Sequence, residues 1–320
     1  MAHQATVVNG EARASTTANT KAPCTRAQAR RRRGAVGWLF IAPFGIVFLV
    51  FLAAPLLYAF YLSLFRSALI GGTHFVLFDN YAKAFSDPSF LSGIRFVIRF
   101  SAVLIPLQML ISLAIALMLD VVVTRFARFS RLMIFLPYSI PVVIGTIMWG
   151  FLYSKNFGPL GEIFGRFGAT APDFLGKDLV FFGLLNVVTW QWAGYYMIIL
   201  YAALQGIDPT LYEAARIDGA STWQITLRIK VPLITNALLL ILVFALIGTL
   251  QFFTEPQVLR FLAAGSIGPD FTPNMYAYQQ AFALANFNYG SAISFSLGFV
   301  VFVCVYVFLF LTRKRGNFLS

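Results

Sequence analysis

The chain is poor in the residues that usually carry chemistry. Only 11% of its 320 residues are charged, against roughly 25% in ordinary soluble domains, so most of the chain cannot face water. Two cysteines, Cys24 and Cys304, are too few for a disulfide scaffold or a thiolate metal site, and two histidines, His3 and His74, form no ligand cluster. No metal or other cofactor is expected. A phosphate-cradling loop needs spaced glycines ahead of Lys and Ser or Thr; the Gly176-Lys177 pair lacks both the upstream glycine and the hydroxyl. The chain is therefore not expected to hydrolyse ATP. The apolar runs hold no Asp, Glu, Lys or His at mid-depth to relay protons, and Arg99 and Asp120 fall at run edges within snorkelling reach of water.

What is abundant is apolar: 59% of the residues are hydrophobic. They fall into runs long enough to cross about 30 Å of hydrocarbon, which predicts an all-α integral membrane protein in contact with membrane lipid. Six transmembrane helices are expected at about 38–65, 97–119, 132–153, 180–204, 232–253 and 292–311. The net charge of +12 does not point to nucleic acid, because the basic residues are not arranged as a face with interleaved aromatics. They flank the apolar runs instead. On the six-span layout sixteen Lys and Arg lie in the two tails and the 2–3 and 4–5 loops, against seven in the other three loops. The positive-inside rule puts both termini and the richer loops in the cytoplasm.

Residues 1–35, rich in Ala, Thr and Arg, read as a disordered cytoplasmic tail, and 316–320 as a short cytoplasmic C-terminal tail, flanking a membrane domain over 36–315. Arginines ahead of an apolar stretch also resemble a signal peptide, but the charge-free run from Arg33 to Arg66 is too long for one. Pro43, Pro55, Pro106, Pro137 and Pro141 predict kinked helices whose freed carbonyls neighbours must satisfy, with Pro137 and Pro141 as a candidate hinge.

Between the fourth and fifth runs lies a polar elbow, about 206–231, reading GIDPTLYEAARIDGASTWQITLRIK before Val231-Pro232. Asp208 suits an N-cap, Pro209 a first helical position and Gly219 the left-handed residue that ends a short helix. Ser221 with Gln224 forms a capping-box pattern that starts a second. Glu213 and Arg216 are spaced for an i,i+3 pair, and Ala214 and Ala215 offer a surface for close approach by a partner. A helix lying on lipid headgroups is the competing reading, though the segment lacks the Lys-rich polar face this calls for.

Glu213-Ala214-Ala215, three residues, Gly219, nine residues, Ile229, one residue, Val231 and Pro232 resemble the EAA signature of permease subunits in bacterial ATP-binding-cassette importers. Val231 stands where that family usually has Leu. WLFIAPFGIVFLVFLAAPLLYAFYLSLF, DNYAKAFSDPSF, LMIFLPYSIPVVIGTIMWGFLY and FNYGSAISFSLGFV are similar to segments of its carbohydrate-uptake branch, the maltose and glycerol-phosphate permeases. The resemblance implies a coupling helix carrying Glu213, Ala214, Ala215 and Gly219 that seats in a separate ATPase. It also implies two ATP-binding subunits, a second homologous permease subunit, an extracytoplasmic solute-binding protein and residence in the bacterial inner membrane. Permeases for polyamines and other solutes share the elbow.

A path for sugars needs aromatic faces and amides inside apolar helices. Trp190, Gln191, Trp192, Gly194 and Tyr195 cluster in the fourth run, and Gln251, Phe252 and Phe253 end the fifth. In similar permeases these two helices line the central cavity, so Gln191, Tyr195 and Gln251 are the candidate solute contacts, against a purely helix-bracing role. Glu255-Pro256 resembles a family position near the outer gate or the receptor-docking surface, and a solvated loop carboxylate would look the same. A self-sufficient secondary carrier and a membrane enzyme are the alternative classes; the latter would need interfacial acidic or histidine clusters that are not evident.

Overall fold

A computed structural model of the chain describes residues 39–68, 72–121, 125–155, 158–263 and 265–313. Both tails, with His3 and Cys24, lie outside the described residues. The first candidate span, α1, is Leu39–Ser63. The chain divides into two compact units after Leu57, and the unit that begins at Tyr58 contains every later element.

A two-stranded antiparallel hairpin, β1 (Phe65–Ala68) and β2 (Gly72–Phe75), comes first, with Phe65 opposite Phe75. It departs from the all-helical expectation and rests on Asn80, whose Nδ2 donates to the carbonyls of Ser63 and Phe65, each at 2.8 Å. Asn80 belongs to the short helix α2 (Asp79–Ser86). At its end Asp87 accepts hydrogen bonds from Tyr276 Oη and Tyr289 Oη, each at 2.7 Å, and so joins three stretches of chain far apart in sequence. Burial pushes the Asp87 carboxyl upward, but these hydroxyls and the Ser89 and Phe90 amides outweigh it and hold the group below the ordinary carboxylate value.

The second span, α3 (Pro88–Val121), has 34 residues and so runs about 51 Å, longer than the hydrocarbon core. It begins nine residues ahead of the sequence expectation because Arg95 and Arg99 lie on exposed helix faces, where a charge does not end a helix. Its partner is the fourth span, α7 (Val180–Gln205). Lipid supplies no hydrophobic force between helices, so polar side chains fix this contact. Gln108 Nε2 donates to the Val188 carbonyl at 3.2 Å, and Ser112 Oγ to the Ala193 carbonyl at 3.0 Å. Around them pack Ile105, Ala116, Met197, Leu200 and Ile241, all buried.

The third span is broken. Residues 132–153, expected as one kinked helix, form the ends of α4 (Arg125–Ser139) and α5 (Val142–Tyr153), bent by 95° from each other. Pro141 has no N–H for the Pro137 carbonyl, and its extended backbone (ψ 131°) starts a new helix rather than continuing the old. The short helix α6 (Pro159–Arg166) leads back toward α7. Gly194 lets α4 approach α7 closely: a Cβ there would lie 2.0 Å from the Ile134 carbonyl oxygen.

After the elbow the fifth span consists of α10 (Thr235–Leu250) and, beyond a break at Gln251–Phe253, α11 (Thr254–Leu259). A short helix, α12 (Pro273–Tyr278), precedes the last span, α13 (Phe287–Arg313). By length and composition the described helices supply five spans, or six when the bent pair counts as one. Large apolar side chains remain exposed along them, among them Leu110 at 67%, Met118 at 70% and Phe302 at 66%, as lipid-facing surfaces require.

Candidate functional site: elbow and cavity

The elbow has the form its sequence dictates. Helix α8 (Pro209–Ile217) opens with Pro209 at its first position, and Asp208 Oδ1 accepts from the Thr210 amide at 2.9 Å. That backbone bond, with one from the Thr210 hydroxyl, lowers the Asp208 pKa below its ordinary value. At the other end Ala220 N–H donates to the Ala215 carbonyl and Gly219 N–H to the Arg216 carbonyl, at 2.9 and 3.0 Å. This reciprocal pair needs a left-handed residue between, and Gly219 supplies it at φ 80°. The second helix, α9 (222–233), begins on a complete capping box: Gln224 Oε1 accepts from the Ser221 amide at 2.7 Å while Ser221 Oγ accepts from the Gln224 amide at 3.3 Å. A π-helical stretch, Thr226–Lys230, lies within it.

Glu213, Ala214 and Gly219 are exposed and Ala215 is half-buried. Leu211, Ile217 and Trp223 are also exposed, Ile217 at 86%, so the elbow presents an apolar face with small residues in it. Glu213 and Arg216 form no ion pair with each other, although their spacing allows one.

Lys230, near the end of the elbow, pairs with Asp120 in the last turn of α3. Snorkelling was the expectation for Asp120; instead its side chain is only 8% exposed, and Gln205 Nε2, at the end of α7, donates to its second oxygen at 2.7 Å. Nothing in the sequence links residues 110 positions apart, so this pair was illegible before the fold.

The second feature is a cavity of about 620 Å³ among α3, α4, α5, α7, α10 and α11. Tyr195 and Gln251, two of the three residues nominated from sequence, line it together with Gln108, Tyr138, Trp192 and Glu255. Tyr138 and Tyr195 stack at 4.5 Å, and Trp192 meets Tyr138 edge-on at 5.4 Å. Among the described residues no Lys, Arg or His lines it. Glu255 is 7% exposed and is therefore not the solvated loop carboxylate that its position just past the fifth run also allowed.

Gln191, the third candidate, is not in that lining but borders an adjoining cavity of about 340 Å³, with Tyr138, Val142 and Trp192 lining both. It is 2% exposed, and its Nε2 donates to the Pro137 and Ile140 carbonyls at 2.7 and 2.8 Å. The amide shares the Pro137 carbonyl, to which Pro141 cannot donate, with the Ile140 N–H at 3.2 Å, and so braces the break between α4 and α5. Among the described residues no three His, Cys, Asp or Glu side chains come together to hold a metal ion.

Residues 109–314 match the family described as binding-protein-dependent transport system inner membrane component. The chain belongs to that family. The match runs from within α3 to the end of α13 and includes the elbow and the cavity lining other than Leu104 and Gln108. Like others of the family, this chain is a multi-pass inner membrane component. Across 92% of its length it is 29% identical to the lactose transport system permease protein LacF of Rhizobium radiobacter, 99% of which is covered. It is 30% identical over 295 residues to the arabinooligosaccharides transport system permease protein AraP of Bacillus subtilis, covering 89% of this chain and 90% of that one. The fold is also that of a subunit in a crystal structure of a bacterial alginate transporter in complex with an alginate pentasaccharide-bound periplasmic protein, with TM-score 0.79, 22% identity, and coverage of 91% and 99%.

Proposed function

We propose that this chain is the transmembrane subunit of an ATP-binding-cassette importer for a carbohydrate and forms half of the solute path. It couples that path to a separate ATPase through α8. The observation that carries the reading is the elbow: a nine-residue helix fixed at both ends by caps, whose exposed apolar face surrounds Ala214. Two ATP-binding subunits, a second permease subunit and an extracytoplasmic solute-binding protein complete the assembly. The distribution of Lys and Arg supports placing the elbow and both termini in the cytoplasm.

Glu213, Ala214, Ala215 and Gly219 form the coupling surface. Tyr195, Gln251 and Gln191 contact the solute, with Glu255 added to them, and Gln191 also braces the α4–α5 break. A cavity with stacked aromatics, amides and a carboxylate but no base suits the hydroxyls of an uncharged saccharide. The sugar-transporting relatives support the same solute class. Purified with its ATP-binding subunits and reconstituted, a Glu213→Ala or Gly219→Val variant is expected to lose solute uptake and retain less ATPase. Normal uptake and normal co-purification in both would overturn the coupling role.

Glu255 also favours a second reading, an ion-coupled carrier, because a buried cavity carboxylate can carry a proton. Solute uptake by this chain alone in proteoliposomes under a proton gradient would establish that reading.

A further inference from the structure

We propose that the Asp120–Lys230 pair is the latch through which movement of the elbow reaches the membrane helices. Asp120 occupies the last turn of α3, the negative end of a helix dipole, where a carboxylate is unfavourable unless a cation faces it. Lys230 of α9 provides that cation, and both side chains are withdrawn from water, 8% and 12% exposed. Buried pairs of this kind are a poor source of net stability, yet losing one partner strands the other charge. They fix one arrangement rather than strengthen any.

The pair is also the hub of the elbow's polar connections. Gln205 brings the end of α7 to Asp120, and the Lys230 ammonium lies 4.8 Å from the Tyr212 ring centroid on α8. Among the described residues, the Lys230–Asp120 contact is the side-chain ion pair that joins the elbow to a span. Tyr212 Oη is buried without a partner, and burial together with the Asp120 charge raises its pKa. One ion pair thus ties the ends of α3 and α7 and both elbow helices, so displacement of α8 pulls on the two spans that line the cavity. Asp120 and Lys230 are positioning residues and touch neither solute nor nucleotide.

This rests on the importer reading, and its test needs no knowledge of the solute. The complete complex carries a cysteine reporter at Phe244, which lines the cavity at 45% exposure, in a chain with Cys24 and Cys304 replaced by serine. Maleimide labelling is followed with and without Mg-ATP, beside ATP hydrolysis. The parent complex is expected to change its labelling rate when ATP is added. D120N and K230M are expected to hydrolyse ATP within about twofold of the parent while the ATP-dependent change falls about tenfold, the span of a typical coupling between linked sites. D120E is expected to keep it. If the single variants fail to accumulate, the D120N/K230M double variant, which strands no charge, takes their place and is expected to lose the change as well. Retention of the change in these variants overturns the latch. Absence of the ATP-binding subunits from the purified parent complex overturns the importer reading itself, and the latch with it.

Discussion

On the proposed reading, Gly219 and Glu255 stand at the two ends of the mechanism. At φ 80° Gly219 holds a conformation that costs an L-residue about 1–2 kcal/mol. Gly219→Ala is therefore expected to fray the end of α8 and weaken ATPase co-purification, whereas Ala220→Gly, half-buried one residue on, should do neither. Glu255→Gln keeps the side chain's shape and removes its charge. In saccharide binding to the assembled complex, followed by tryptophan fluorescence since Trp192 lines the cavity, it is expected to admit a uronic acid trisaccharide that the parent rejects, with a neutral trisaccharide bound by both. Asp87 gives a pH signature. Its carboxyl is held below the ordinary value, so its contribution is complete above the unfolded carboxylate pKa of about 4 and fades as pH falls through the lower folded value. The difference in melting temperature between parent and Asp87→Asn should accordingly be full at neutral pH and shrink only in strong acid.

At the scale of elements, the broken third span separates what the sequence makes legible from what it hides. Pro137 and Pro141 announce a disturbance, and the need for a donor to the freed carbonyls is equally foreseeable. That the donor is Gln191, in a different span, is not, because an amide among aromatics in a membrane helix serves a solute or a neighbour equally well. Gln191→Leu is expected to leave the Ile140 carbonyl without its side-chain donor and the Pro137 carbonyl with the Ile140 N–H alone, and to cost about 1–3 kcal/mol, read as a lower melting temperature of the complex. The elbow was legible almost to the atom because caps are local: Asp208, Pro209, Gly219, Ser221 and Gln224 each act within about one helical turn of themselves. The long-range contacts, Lys230 to Asp120 and Tyr276 and Tyr289 to Asp87, leave no such trace. The β1–β2 hairpin escaped notice for another reason, since it is short and depends on Asn80 from the following helix rather than on a strand pattern of its own.

For the molecule as a whole, the apolar spans and the family match establish residence in the membrane, and the elbow and cavity carry the proposed function. The elbow follows the end of α7, near Asp120 and Lys230, while the cavity meets α7 at its middle, from Val188 to Tyr196, and α10 in its later half, with Gln251 and Glu255 beyond. On the proposed reading, energy from ATP hydrolysis in a partner reaches the cavity through contact at the elbow, so contact between α8 and an ATP-binding subunit is the central claim. It is tested most directly by a cysteine at Ile217, exposed at 86%, in a chain lacking Cys24 and Cys304. Treated with a short bifunctional thiol reagent in the assembled complex, that cysteine is predicted to join the chain to an ATP-binding subunit in high yield, while a cysteine at Phe302, exposed on a membrane helix, does not. An Ile217 cysteine that stays freely reactive and never yields the adduct, in a complex that still imports solute, would contradict it.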